Sequence, residues 1–119
     1  MKYEIVKLGK KEMPIYFGFN ALRKFCRATG TTLQKLGQLG QDMSLDDVVE
    51  LIYFGTMEGH RKAKIDFDLT SDDIADMLDG DQNGMNEAMQ VFSDHMGMVF
   101  QNDKNEKTEK KQMPVKKTK

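Results

Sequence analysis

Ser44-Leu45-Asp46-Asp47-Val48-Val49-Glu50-Leu51-Ile52-Tyr53-Phe54-Gly55-Thr56 decides the class of this fold. Leu45, Val48, Val49, Ile52, Tyr53 and Thr56 follow the i, i+3, i+4, i+7, i+8 series, which lays an apolar face along one side of an α-helix. Ser44 and the acid three positions later satisfy free amides at the helix start, where Asp46 and Asp47 also suit the positive end of the dipole. This is the longest helix expected, and Gly55 and Gly59 should fray its end.

Working outward, helices continue in both directions. Downstream, after the basic patch His60-Arg61-Lys62-Lys64, the stretch Ile65-Asp66-Phe67-Asp68-Leu69 fits either a short strand or a loop with three anchors. Thr70-Ser71-Asp72-Asp73 repeats the capping signal for a helix through Ile74, Met77 and Leu78, ending at Asp79-Gly80. A last helix carries Met85, Ala88, Met89, Phe92, Met96 and Val99. Upstream, Asn20 offers a cap for a helix with the stripe Leu22, Phe25, Cys26 and Thr29, stopped by Gly30. Thr31 or Thr32 starts a shorter helix with Leu33 and Leu36, of two turns, before the loop Gln38–Met43. Before all of these, Tyr3, Ile5 and Leu8 approximate a strand that turns at Gly9-Lys10-Lys11 and returns through Met13-Pro14-Ile15-Tyr16-Phe17. Pro14 lacks a donor and belongs at a strand start or on an edge. The expected fold is mainly α: a bundle of about five helices behind a short N-terminal β-hairpin, whose open edge gives a route to self-association.

The 119 residues divide by charge. Residues 102–119 hold seven lysines against Asp103, Glu106 and Glu109, a net +4, so residues 1–101 carry −5 of the overall −1. With only Met113 and Val115 as sizeable apolar groups, the basic segment is expected to be a disordered, solubilising arm attached to a single domain over 1–101. It has no interleaved aromatics, and nucleic acid is not expected as a partner. Cys26 has no partner in the chain and no apolar run follows Met1-Lys2, which favours a cytosolic setting without a signal peptide. Apolar runs of a few residues fall far short of the roughly 20 needed to cross a bilayer.

The residues offer little for catalysis, and the chain is expected not to be an enzyme. Asp79-Gly80-Asp81-Gln82-Asn83-Gly84 matches positions one, three, five and six of an EF-hand loop, but Asn86 and Gln90 stand where an aliphatic residue and a bidentate carboxylate are required. A polar helix-to-helix turn is the preferred reading, with a calcium-responsive protein as a remote alternative. His60 and His95 have no ligands at zinc spacing and read as surface residues; Cys26 reads as a buried, inert thiol. No metal or cofactor is expected. More informative are the ten methionines, five of which (Met77, Met85, Met89, Met96 and Met98) fall on the last two helical segments. Flexible thioethers suit adaptable contact surfaces, so Met85, Met89, Phe92, Met96, Met98 and Phe100 are the candidate partner-binding residues.

One resemblance covers about Met13 to Met96. Pro14-Ile15-Tyr16-Phe17-Gly18-Phe19-Asn20-Ala21-Leu22-Arg23-Lys24-Phe25, then Thr29-Gly30, then Leu51-Ile52-Tyr53-Phe54-Gly55, then Leu69-Thr70 through Asp76-Met77-Leu78-Asp79 resembles the tail assembly chaperones of long-tailed bacteriophages. The resemblance implies a small, soluble, helical, non-enzymatic protein that binds the tape measure protein and keeps it soluble while tail tube subunits polymerise round it. The tail tube protein is a further candidate partner. The implied location is the cytoplasm of the bacterial host, with the protein absent from the mature virion. It also implies a longer second product made by a programmed ribosomal slip, for which Lys110-Lys111 or Lys116-Lys117 would accommodate an adenine-rich heptamer. The reading from another class is a helical adaptor or regulatory module that binds some other protein's helix.

Overall fold

A computed structural model describes residues 3–36 and 43–100. The elements are β1 (Glu4–Leu8), β2 (Lys11–Ile15), α1 (Phe19–Thr29), α2 (Leu33–Leu36), α3 (Leu45–Ala63), α4 (Ser71–Leu78) and α5 (Gln82–Phe100). The described residues therefore form a mainly helical fold with an N-terminal antiparallel hairpin, as the patterning requires. The lysine-rich segment and most of the loop 37–43 lie outside the described residues.

The hairpin closes through Gly9-Lys10, with Val6 paired to Met13 and Leu8 to Lys11. Gly9 takes φ +65° and Lys10 does not enter the left-handed region, the pattern of a type II′ turn that follows the twist of the strands. Lys11 is thus the first strand residue, not part of the turn. This register turns Val6, Leu8, Met13 and Ile15 into the core and leaves Tyr3 and Ile5 exposed. Pro14 sits mid-strand opposite Ile5. With only two strands, β2 needs no further sheet partner, so the missing donor costs it nothing there.

α3 is the element around which the rest packs, and here the expected fraying is overturned. The helix runs unbroken past Gly55 and Gly59 to Ala63. Both glycines are buried contact points: a Cβ on Gly59 would overlap the carbonyl of Pro14 and the nitrogen of Ile15, and one on Gly55 would strike the Phe17 ring. Spaced one turn apart, they let the backbone of β2 lie directly against the helix, where the Tyr16 amide donates to the Gly55 carbonyl at 2.9 Å. Tertiary contact outweighs the roughly 1 kcal/mol that each glycine costs a helix interior. The helix ends with Lys64 left-handed at φ 62°, its amide donating to the Arg61 carbonyl while the Ile65 amide donates to that of His60. This is the paired bonding of a Schellman motif, made with a lysine in place of glycine.

The core joins Phe17, Phe25, Leu8, Ile15, Leu51, Ile52 and Ile74, all fully buried, to Phe92. Each such burial contributes on the order of 2 kcal/mol. α1 presents Ala21, Leu22 and Phe25 to it. Its start differs from expectation: Gly18 flanks the helix, no side chain caps it, and Asn20 lies inside the first turn, accepting from Arg23 and donating to Glu58. In α2 the described helix is one turn, with Leu36 buried and Thr32 accepting from the Lys35 amide. Residues 65–69 form a loop in which Phe67 packs on His60 at 4.9 Å and on Tyr53 at 5.7 Å, while Ile65 is exposed.

Candidate functional site

The loop between α4 and α5 is much shorter than a cation-binding ring. α4 starts with a complete capping box between Thr70 and Asp73 and ends at Leu78, and α5 is already helical from Gln82. Asp81 is spent on structure: Oδ1 accepts from the Gly84 amide at 3.0 Å, and Oδ2 from the Gly9 amide at 2.8 Å. One carboxylate therefore caps α5 and ties it to the hairpin turn. Residues 82–86, which a calcium loop would need in extended form, are in the first turns of α5. Among the described residues no three acidic, histidine or cysteine side chains converge on one point.

Both histidines are core residues, not surface ones. His95 is 3% exposed and its Nδ1 accepts from the Phe17 amide at 3.1 Å, so the proton of the neutral ring sits on Nε2. Burial pushes its pKa below the ordinary value, against the pull of the Glu4 and Asp94 carboxylates. His60 has the opposite tautomer, its Nδ1–H donating to the Thr56 carbonyl at 2.7 Å. Backbone partners that are remote in sequence, or one turn back, explain both rings without catalysis. Glu58, buried beside His60, is held below the usual carboxylate range by hydrogen bonds from Arg61, which outweigh its desolvation. Its neighbours from α1 are Asn20 and Lys24, so the group is a structural clasp between α1 and α3. Burial raises the Cys26 thiol, which keeps it protonated.

The methionine-rich surface is only partly where the spacing placed it. Met85, Met89 and Met96 are half-buried and pack against the core. Phe92 belongs to the core itself: it is 5% exposed and meets Phe17 edge to face at 5.3 Å between ring centres. It is therefore withdrawn as a contact residue, because the α5 stripe of Ala88, Phe92 and His95 faces the hairpin and Phe17. The side chains of Met98 and Phe100 lie outside the described residues.

An apolar groove lies instead between the first turns of α3 and the last turn of α4, with Met85 lining it from α5. Leu45, Val48, Val49, Ala75, Leu78 and Met85 line it, and its volume is about 470 Å³. Ser44 accepts from the Asp47 amide and starts α3 well before the core begins, for the first fully buried residue is Leu51. The stripe is therefore only partly covered at this end: Val48 and Val49 are half-buried, Val48 packing against the core, and Leu45 is left 80% exposed. Asp46 stands on one side of the groove, Asp76 and Asp79 on the other, and no lysine or arginine is among the lining residues. An apolar floor between carboxylates fits a segment with apolar side chains flanked by lysine or arginine. A second hollow of about 290 Å³, between β2 and residues 65–69, has charges of both signs at its edge, from Lys11, Glu12, Asp66 and Asp68.

Compared with family models, curated proteins and solved structures, the chain matches none. No described helix is long and apolar enough to cross a membrane.

Proposed function

We propose that this protein is a tail assembly chaperone of a long-tailed bacteriophage or prophage, which holds the tape measure protein soluble in the bacterial cytoplasm while the tail tube assembles. It acts by binding, without a cofactor. The observation that carries this reading is the groove of Leu45, Val48, Val49, Ala75, Leu78 and Met85 with Asp46, Asp76 and Asp79 along its sides. A tape measure protein presents long amphipathic helices, and an apolar helix stripe with adjacent basic residues is complementary to such a groove in shape and charge. Met85, the methionine that lines the groove, provides a side chain that re-packs around different stripes along one long partner. The sequence resemblance over residues 13–96 supports the choice of partner, and the groove is the surface proposed to receive it.

The test begins with the DNA around the gene. A slippery heptamer at the codons of Lys110-Lys111 or Lys116-Lys117, an overlapping −1 frame and a very long coiled-coil gene downstream are the expected arrangement. Co-expression with that long protein should then yield a soluble complex. Unrelated neighbours and an insoluble, uncaptured tape measure protein would return the chain to a helical adaptor for some other protein.

A further inference from the structure

We infer that the segment Lys110-Lys111-Gln112-Met113-Pro114-Val115-Lys116-Lys117 of this chain occupies the groove between α3 and α4 and competes there with the partner helix, a regulation that rests on the groove being the partner-binding site. The first argument is charge. The segment places a lysine pair on each side of two apolar anchors, and the groove places carboxylates on each side of an apolar floor. Residues 102–119 carry +4 and residues 1–101 carry −5, so the attraction extends beyond the groove itself.

The second argument is local conformation. Pro14 is the only other proline in the chain, and Pro114 sits between the two anchors. Proline disfavours the helical region for the residue before it, here Met113, so docking of this segment as an extended strand is favoured over docking as a helix. Such a segment is narrower than a helix, and its two apolar side chains suit a floor built of leucine, valine, alanine and methionine.

Reach is the third. Met85 lines the groove and Phe100 ends α5, a helical rise of about 22 Å between them. Twelve residues separate Phe100 from Met113, and a random-coil chain of that length has a root-mean-square span of about 20 Å and a maximum of about 40 Å. The span matches the distance to be covered, where the effective concentration of a tethered ligand is highest, in the millimolar range for short linkers. Docking too weak to detect between separate molecules is then sufficient to fill the groove within one, and a long partner with many helical stripes displaces it.

The experiment uses the full chain at low concentration, zero-length carbodiimide cross-linking and peptide mass analysis, with a mixture of ¹⁴N- and ¹⁵N-labelled protein to separate bonds within a chain from bonds between chains. Lysines 110, 111, 116 and 117 are expected to join Asp46, Asp76 and Asp79 at least about five-fold more often than Glu4, Glu12, Glu87 and Asp94, all exposed elsewhere. The double substitution Met113→Ser, Val115→Ser leaves every reacting group in place and should bring that preference down to parity. An even spread in the unaltered protein, a preference that survives the double substitution, or cross-links only between chains would each overturn the inference. Capture of the tape measure protein is read separately. An even spread of cross-links together with loss of capture in Leu45→Asp removes the regulation and leaves the binding site standing.

Discussion

At the scale of single residues, the two histidines and Phe92 carry the clearest consequences. His95 is neutral in the fold because protonating Nδ1 would remove the acceptor of the Phe17 amide. Its pKa is lowered from 6.5, so the unfolded chain binds more protons than the folded one as the pH falls below that value. The stability it contributes is complete above about pH 6.5 and is lost progressively on acidification toward the depressed folded value. Thermal midpoints measured from pH 7.5 to 5 should fall, and His95→Gln, which keeps a side-chain acceptor without the titration, should flatten that slope. Phe92→Ala should cost about 3–5 kcal/mol in denaturant unfolding, since it empties a site packed on Phe17, whereas Leu45→Ala should stay within about 0.5 kcal/mol. Neither histidine was legible as a core residue in the sequence. A lone polar ring has no period, and the partner of His95 is 78 positions away.

Elements were legible in proportion to how local their determinants are. The caps at Ser44 and Thr70 lie within three residues of the amides they satisfy, and the starts of α3 and α4 fall where those signals place them. The end of α3 did not, because Gly55 and Gly59 answer to β2 and Phe17 and not to the helix that contains them. Gly59→Ala, which would raise helix propensity in isolation, should therefore destabilise the protein by about 1–3 kcal/mol as the hairpin is forced off α3. The same logic governs Asp81, whose two oxygens serve the Gly84 and Gly9 amides. Asp81→Ala should cost about 2 kcal/mol through the lost cap and a stranded part-buried amide, and Asp79→Ala, exposed at the end of α4, much less. Calcium should leave the thermal midpoint unchanged, for the residues that would form its loop are already committed to α5.

Over the whole molecule, the apolar periodicity of α3 foretold its existence but not what its two ends do. A stripe of Leu45, Val48 and Val49 reads the same whether a neighbouring helix covers it or solvent does. Here full burial begins only at Leu51, and the partly covered end, with Val48 and Val49 half-buried and Leu45 exposed, is flanked by α4 and by acids and becomes the groove. Of the methionines on α4 and α5 only Met85 lines the groove, and the spacing that singled out Phe92 is the spacing of a core face. In the proposed function this groove holds a helix of the tape measure protein. The most direct measurement is quantitative co-purification of the tape measure protein with the unaltered chain and with Leu45→Asp, each co-expressed at matched levels. Leu45 is 80% exposed, so the substitution spares the core, and its folding is checked by an unchanged thermal midpoint. A soluble complex is expected with the unaltered chain, and at least about a ten-fold loss of captured partner with Leu45→Asp, as follows from burying a charge against an apolar stripe. Equal capture by both proteins would contradict that expectation.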